Sequence, residues 1–268
     1  MGCSVASLLP RALEAPDYDW SWCALNEAGE FILKCLNEVA AERRRRADDL
    51  ALGERVGAIK QFQHARFART YADLLADPRY GGAARFFLAD LYGPEDYSER
   101  DVQFARVVPA LLKLFPREII GTVSDLAALH ALSERLDTAM ALVVADGRVN
   151  GQVNGQVNGQ VNSQDYARAW RAVGEPLSRE RQVTLMVSIG TALDRHTRNM
   201  LMRHSLRLMR APAHAAGLAA LQRFLETGFD TFRTLRGAED FLAIIAQRER
   251  ALSIRLFEGG DVPGDALV

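Results

Sequence analysis

Apolar side chains recur along this chain at three- and four-residue intervals, the period of a helix that buries one face. Phe67, Tyr71, Leu74 and Leu75 share such a face, and Pro78 ends it. Ala83, Phe86, Phe87 and Leu91 make a short second helix, closed by Gly93-Pro94. Ser98 with Asp101 three residues on reads as a capping box. It opens a third helix with Phe104, Val108, Leu111, Leu112 and Phe115 inside, and Pro109 should bend that helix. Leu126, Leu129, Ser133, Leu136, Met140 and Val143 stripe a fourth. A short helix over 165–173 leads to Pro176. A long one follows, with Val183, Met186, Val187, Gly190, Leu193, Met200, Leu201 and Leu208 on its inner face. Leu218, Leu221, Leu225, Phe229 and Phe232, then Phe241, Leu242, Ile245, Leu252 and Leu256, complete the series. No segment reads as a strand. The fold class is all-α, a single multi-helix domain of about eight to ten helices.

Two segments break the pattern. Residues 149–164 repeat Val-Asn-Gly-Gln three times and end in Val-Asn-Ser-Gln, a composition that cannot pack a core. A flexible low-complexity loop is expected over 147–164. Residues 1–50 read as an N-terminal helical extension ending in Arg43 to Arg46, a run typical of a solvated helix end. Phe31, Ile32, Leu33 and Leu36 within it suit docking on the rest of the chain or on a second copy. The core domain is placed at 51–258, with a disordered tail over 259–268.

Composition adds exclusions. With 33 basic and 34 acidic residues the net charge is −1, which provides no electrostatic footprint for nucleic acid or an anionic membrane. All but three basic residues (Lys34, Lys60, Lys113) are arginine, a bias that codon usage in a GC-rich genome explains. The three cysteines, Cys3, Cys23 and Cys35, are odd in number and lack metal-ligand spacing, so a reducing cytoplasm is expected. Ala6 occupies the position where a myristoylation signal needs Ser or Thr. Neither a secretory signal nor a membrane-spanning run is seen.

The runs Ala65-Arg66-Phe67, Tyr71 to Leu75, Tyr80 and Phe86-Phe87-Leu88-Ala89-Asp90-Leu91-Tyr92-Gly93 are distinctive, as are Asp96, Arg100-Asp101, Arg106 and Pro109. With Leu132 to Asp137, Arg181-Gln182 and Arg210 to Ala213 they resemble a bacterial family named for its FFLEELY motif. The likeness spans roughly residues 58–258. Here Ala89-Asp90 replaces the two glutamates, so only Asp90 retains a carboxylate. The resemblance implies a helical fold and a bacterial origin, and no mechanism.

A search for chemistry returns mostly exclusions. No Glu-x-x-His, His-Glu-x-x-His or Cys-x-x-Cys occurs, and His196 and His204, eight residues apart on one helix, stand ~12 Å apart, too far to share an ion. No metal or cofactor is therefore expected; His64, on a face with Phe67 and Tyr71, is the one histidine with a setting suited to haem. Nucleophile elbows and phosphate-cradling loops are missing. What remains is charge at apolar positions: Asp90, Asp101 and Glu249 point inward by their phase. Desolvated carboxylates need cations, and Arg66, Arg100, Arg106, Arg181 and Arg210 are the candidate partners. With Tyr71 and Tyr92 these residues form either an ion-pair cluster between helices or the edge of a ligand pocket. The leading expectation is a non-catalytic cytosolic helical module that binds a small ligand or a protein partner. The alternative is an enzyme in which Asp90, Asp101 and Glu249 act on a small anionic substrate.

Overall fold

Helix α6 (Arg117–Ala145) is apolar on several sides, and its neighbours use all of them. In the computed structural model, which describes residues 22–91, 93, 97–145, 161–198, 200–260 and 262, it packs against four other helices. These are α1 (Trp22–Asp48), α2 (Leu50–Thr70), α7 (Ser163–Val173) and α8 (Pro176–Thr197). Between α2 and α6 in sequence come α3 (Ala72–Ala76), α4 (Gly81–Phe86), a π-helical segment (Phe87–Leu91) and α5 (Ser98–Leu114). After α8 follow α9 (Met200–Leu208), α10 (Arg210–Ala215), α11 (Ala219–Leu235) and α12 (Glu239–Phe257). The described residues contain twelve α-helices and no strand, and no helix among them is long and apolar enough to cross a membrane.

The helix count exceeds the expected range because two continuous-looking stripes are broken, at Tyr71 and at Thr197, and because the short α10 lies outside the expected stripes; a third stripe changes its winding. Tyr71 leaves the helical region at φ −115° and separates α2 from α3, while keeping the shared apolar face. Phe87 widens α4 into the π segment. The long stripe beginning at Pro176 stops at Thr197 and resumes at Met200, so His196 and His204 belong to different helices. Pro109 lies inside α5 without ending it. The expected capping box is absent: Tyr97 is the N-cap residue, Ser98 begins the helix, and Asp101 turns toward other helices.

Three apolar clusters fill the interior. The first joins Phe67, Tyr71, Phe86, Phe87, Met186, Phe232 and Phe241 from α2, α4, the π segment, α8, α11 and α12. The Phe-Phe-Leu motif is thereby a packing device. Phe86 stacks on Phe224 at 5.7 Å, and a Cβ at Gly228 would press on its ring; Phe87 lies between Phe232 and Phe241. Gly93 is buried where a Cβ would meet the Ala89 carbonyl and the Tyr97 hydroxyl, which donates to that carbonyl. The second cluster holds Leu52, Phe62, Met140, Tyr166, Trp170 and Leu256. The third seats Ile32, Cys35, Leu36 and Val39 of α1 on Val108, Ile120, Ala127 and Ala131 of α5 and α6.

Two boundaries differ from expectation. Of the low-complexity segment, residues 147–160 lie outside the described residues, but its last unit is structured. Asn162 is the N-cap of α7, its Oδ1 accepting the Asp165 amide at 2.9 Å, and Ser163 begins the helix. The cap satisfies a backbone donor that the helix itself leaves open. At the other end, the expected loose tail is tied down at its start. Gly259, at φ 93°, reverses the chain, the Gly260 amide donates to the Arg255 carbonyl, and Val262 is buried in the second cluster. Replacing Asn162 with Ala is expected to lower the unfolding free energy by about 1 kcal/mol in urea titrations, without loss of helical circular dichroism elsewhere.

Candidate functional site

On α6, His130, Glu134, Asp137 and Thr138 recur at helical spacing, and each meets a polar residue from a neighbouring helix. The first rung gathers Asp101 of α5, whose Oδ2 lies 2.8 Å from Arg43 and 2.7 Å from His130 Nε2. The second is centred on buried Glu134. Lys60 Nζ approaches one carboxylate oxygen at 2.6 Å and Arg46 the other at 2.5 Å. Arg46 also donates to the Glu134 carbonyl at 2.8 Å and to the Thr138 hydroxyl at 2.7 Å. On the third rung Gln63 donates to Asp137 at 2.9 Å. Three residues further along α2, buried Arg66 pairs with Glu249 of α12, which also accepts the Tyr71 hydroxyl at 2.7 Å.

Electrostatics separate these acids. Burial alone pushes the Glu134 carboxyl up, but the charges of Lys60 and Arg46 outweigh it and hold the group down at about 2. Asp137 is the opposite case: burial pushes its carboxyl up, and Lys60, nearby but unbonded, offsets only part of that. The Arg66 guanidinium is pulled down by burial and pushed up further by Glu249, with a net rise. Arg179 of α8, equally buried, has no carboxylate bound to it among the described residues. It stacks over Trp170 at 3.8 Å and donates to Gln182 at 3.2 Å and the Met140 sulfur at 3.1 Å, and burial pulls its guanidinium down.

The residues singled out from sequence divide accordingly. Glu249, Arg66 and Tyr71 come together as one group; Asp101 belongs to another, beside Arg100, whose Nε lies 4.0 Å from it and whose guanidinium rests between the Tyr97 and Phe224 rings. Arg106 donates to the Ala216 carbonyl at 3.2 Å. Arg210 pairs with Glu226 at 2.6 Å on the surface, and Arg181 is exposed on α8. Asp90 lies in the π segment with its side chain outside the described residues, as does Tyr92 altogether. Tyr71 is fully buried and lines neither of the concavities described below. His64 stands on α2, and no group of three or more His, Cys, Asp or Glu able to hold a metal ion occurs among the described residues.

Sequence reasoning missed Arg43, Arg46, Lys60, Gln63, His130, Glu134, Asp137 and Arg179. The arginine run is only half solvated. Arg43 and Arg46 continue the buried positions Ile32, Leu36 and Val39 at i+4 and i+7 steps, so two of the four arginines face inward while Arg44 and Arg45 face water. That phase was the available signal. Concavities lie elsewhere. A shallow, nearly flat depression runs along Glu30, Leu33, Lys34, Asn37, Glu38 and Ala41 of α1, and a notch of about 10 Å³, room for one water, lies beside Arg210.

The family model described as a domain of unknown function (DUF8198) matches residues 42–263. No curated protein and no solved structure matches the chain.

The ladder gives a contrast between two neighbouring acids. Glu134 stabilises the fold fully above about pH 4.5, its ordinary value, and that contribution fades as pH falls toward 2. Asp137 supports the fold while protonated and costs stability once pH rises through its elevated native value. Glu134→Gln is therefore expected to cost about 3–5 kcal/mol at pH 7, since it strands two cations. Asp137→Asn, which keeps the acceptor for Gln63, is expected to be neutral or stabilising there; urea unfolding of both variants at pH 7 checks the pair.

Proposed function

The chain belongs to the DUF8198 family, and from that premise we propose that it is a non-catalytic helical module that recognises a partner or small ligand. One observation carries the reading: the ionisable groups an enzyme would use are committed to each other. Glu249 is taken by Arg66 and Tyr71, and Asp101 by Arg43 and His130. The two acids sit in separate groups that share no residue, and neither borders the described concavities. Paired acid–base work needs carboxylates converging on one open space. The ladder instead joins α1, α2, α5, α6 and α12, which is what an ion-pair network fixing helix docking does.

Three features support the finer points. The likeness of Phe86 to Gly93 to the FFLEELY proteins supports a bacterial source, and cysteines that are few and odd in number support a cytoplasmic setting. A net charge of −1 supports a partner that is neither nucleic acid nor a charged membrane surface.

The enzyme alternative names Asp90, Asp101 and Glu249; to these we add Asp137, a buried acid near Tyr166 and Arg179 whose carboxyl burial pushes up, the kind of group found in acid–base sites. It lies 7% exposed against Gln63 of α2 and lines neither concavity. Incubating the protein with a cell-extract metabolite pool, followed by mass spectrometry, separates the readings. The expected outcome is that no compound is consumed. A compound consumed by the natural protein and spared by Asp137→Asn or Glu249→Gln, both still folded, would establish the enzyme instead.

A further inference from the structure

The outer face of α1 is self-complementary, and we infer that it pairs antiparallel with α1 of a second copy around a two-fold axis at Asn37. This deepens the interaction reading by naming a partner. Ile32, Cys35, Leu36 and Val39 already bind the rest of the chain, so α1 docks on its own domain. Its opposite face, Glu30, Leu33, Asn37, Ala41 and Arg44, is exposed and repeats at three- and four-residue steps. A shallow open depression follows four of them, Glu30, Leu33, Asn37 and Ala41, with Lys34 and Glu38 at its side.

The spacing about Asn37 is symmetric. In an antiparallel pair each residue faces the one equally far on the other side of the axis. Glu30 then meets Arg44 of the second copy, and Leu33 meets Ala41, a large side chain over a small one. Asn37 meets itself, an amide pair of the kind that fixes register between helices. Each contact occurs twice, so four oppositely charged residues and four apolar ones close the face. Shifting the register by one turn would set Glu30 against Ala40 and Ala41 and leave Arg44 unmatched. The surface lies almost wholly before residue 42, where the family match begins, which makes it an addition to the common domain. Leu33 and the neighbouring Phe31 are among the large apolar side chains left exposed, at 37% and 45%.

A contact of four helical turns is at the small end of stable interfaces, so dissociation in the micromolar range, about 1–10 µM, is expected. Sedimentation velocity on the full chain from about 1 to 100 µM should show the mass shifting from one to two chains. Glu30→Arg and Arg44→Glu should each weaken the dimer about tenfold or more, and the double variant, which rebuilds the pair with signs reversed, should restore it. All these positions are exposed, so unchanged circular dichroism is expected throughout. A natural chain that stays monomeric across the range, as it would if residues 1–21 covered the face, overturns the proposal. So does a dimer indifferent to the single reversals, or one that the double reversal fails to restore. Failure here is read from mass alone and leaves the absence of turnover, the test of the broader reading, untouched.

Discussion

The architecture hangs on the double clamp at Glu134. A carboxylate this buried is tolerable only with its charge matched, and two cations arrive from different helices to do it, Arg46 from α1 and Lys60 from α2. Apolar contacts alone would let α1 and α2 slide along α6, because dispersion and burial are nearly non-directional. The ion pairs and the Thr138 hydroxyl are directional, so they set the height at which both helices sit. The Asp101 and Glu249 groups then extend the same logic to α5 and α12.

Much of this was legible in the sequence, and what escaped has a common cause. The stripes of α6, α11 and α12 follow from apolar spacing, and Glu249 announced itself by interrupting one between Ile245 and Leu252. Its partner Arg66 was among the arginines named. Glu134 and Asp137 were hidden because α6 is surrounded. The stripe through Leu129, Ser133, Leu136 and Met140 explains one side, whereas the two acids occupy a flank that becomes interior only when α1 and α2 close over it. One-face periodicity cannot reveal a second buried face. The helix breaks at Tyr71 and Thr197 were hidden for a similar reason, since the apolar phase runs on through both.

The Phe-Phe-Leu motif shows how a conspicuous signature can be structural. Its two rings fill the first cluster, and Gly93 makes room for the Tyr97 hydroxyl to reach the Ala89 carbonyl. The π-helical widening between them displaces the chain by a fraction of a turn, a feature often associated with functional sites. Here it also seats Phe87 between Phe232 and Phe241 while Phe86 faces α11.

The three-residue arrangement of Arg46, Lys60 and Glu134 also constrains how sequences of this kind can diverge. Losing Glu134 strands two cations, and losing either cation leaves one carboxylate oxygen without its charged donor, so single-step drift at these positions passes through a weakened intermediate. An apolar replacement becomes harmless only when all three change together with conserved volume. Positions 46, 60 and 134 should therefore be inherited as a block. Arg45, one residue away in the same run but facing water, is free of this constraint.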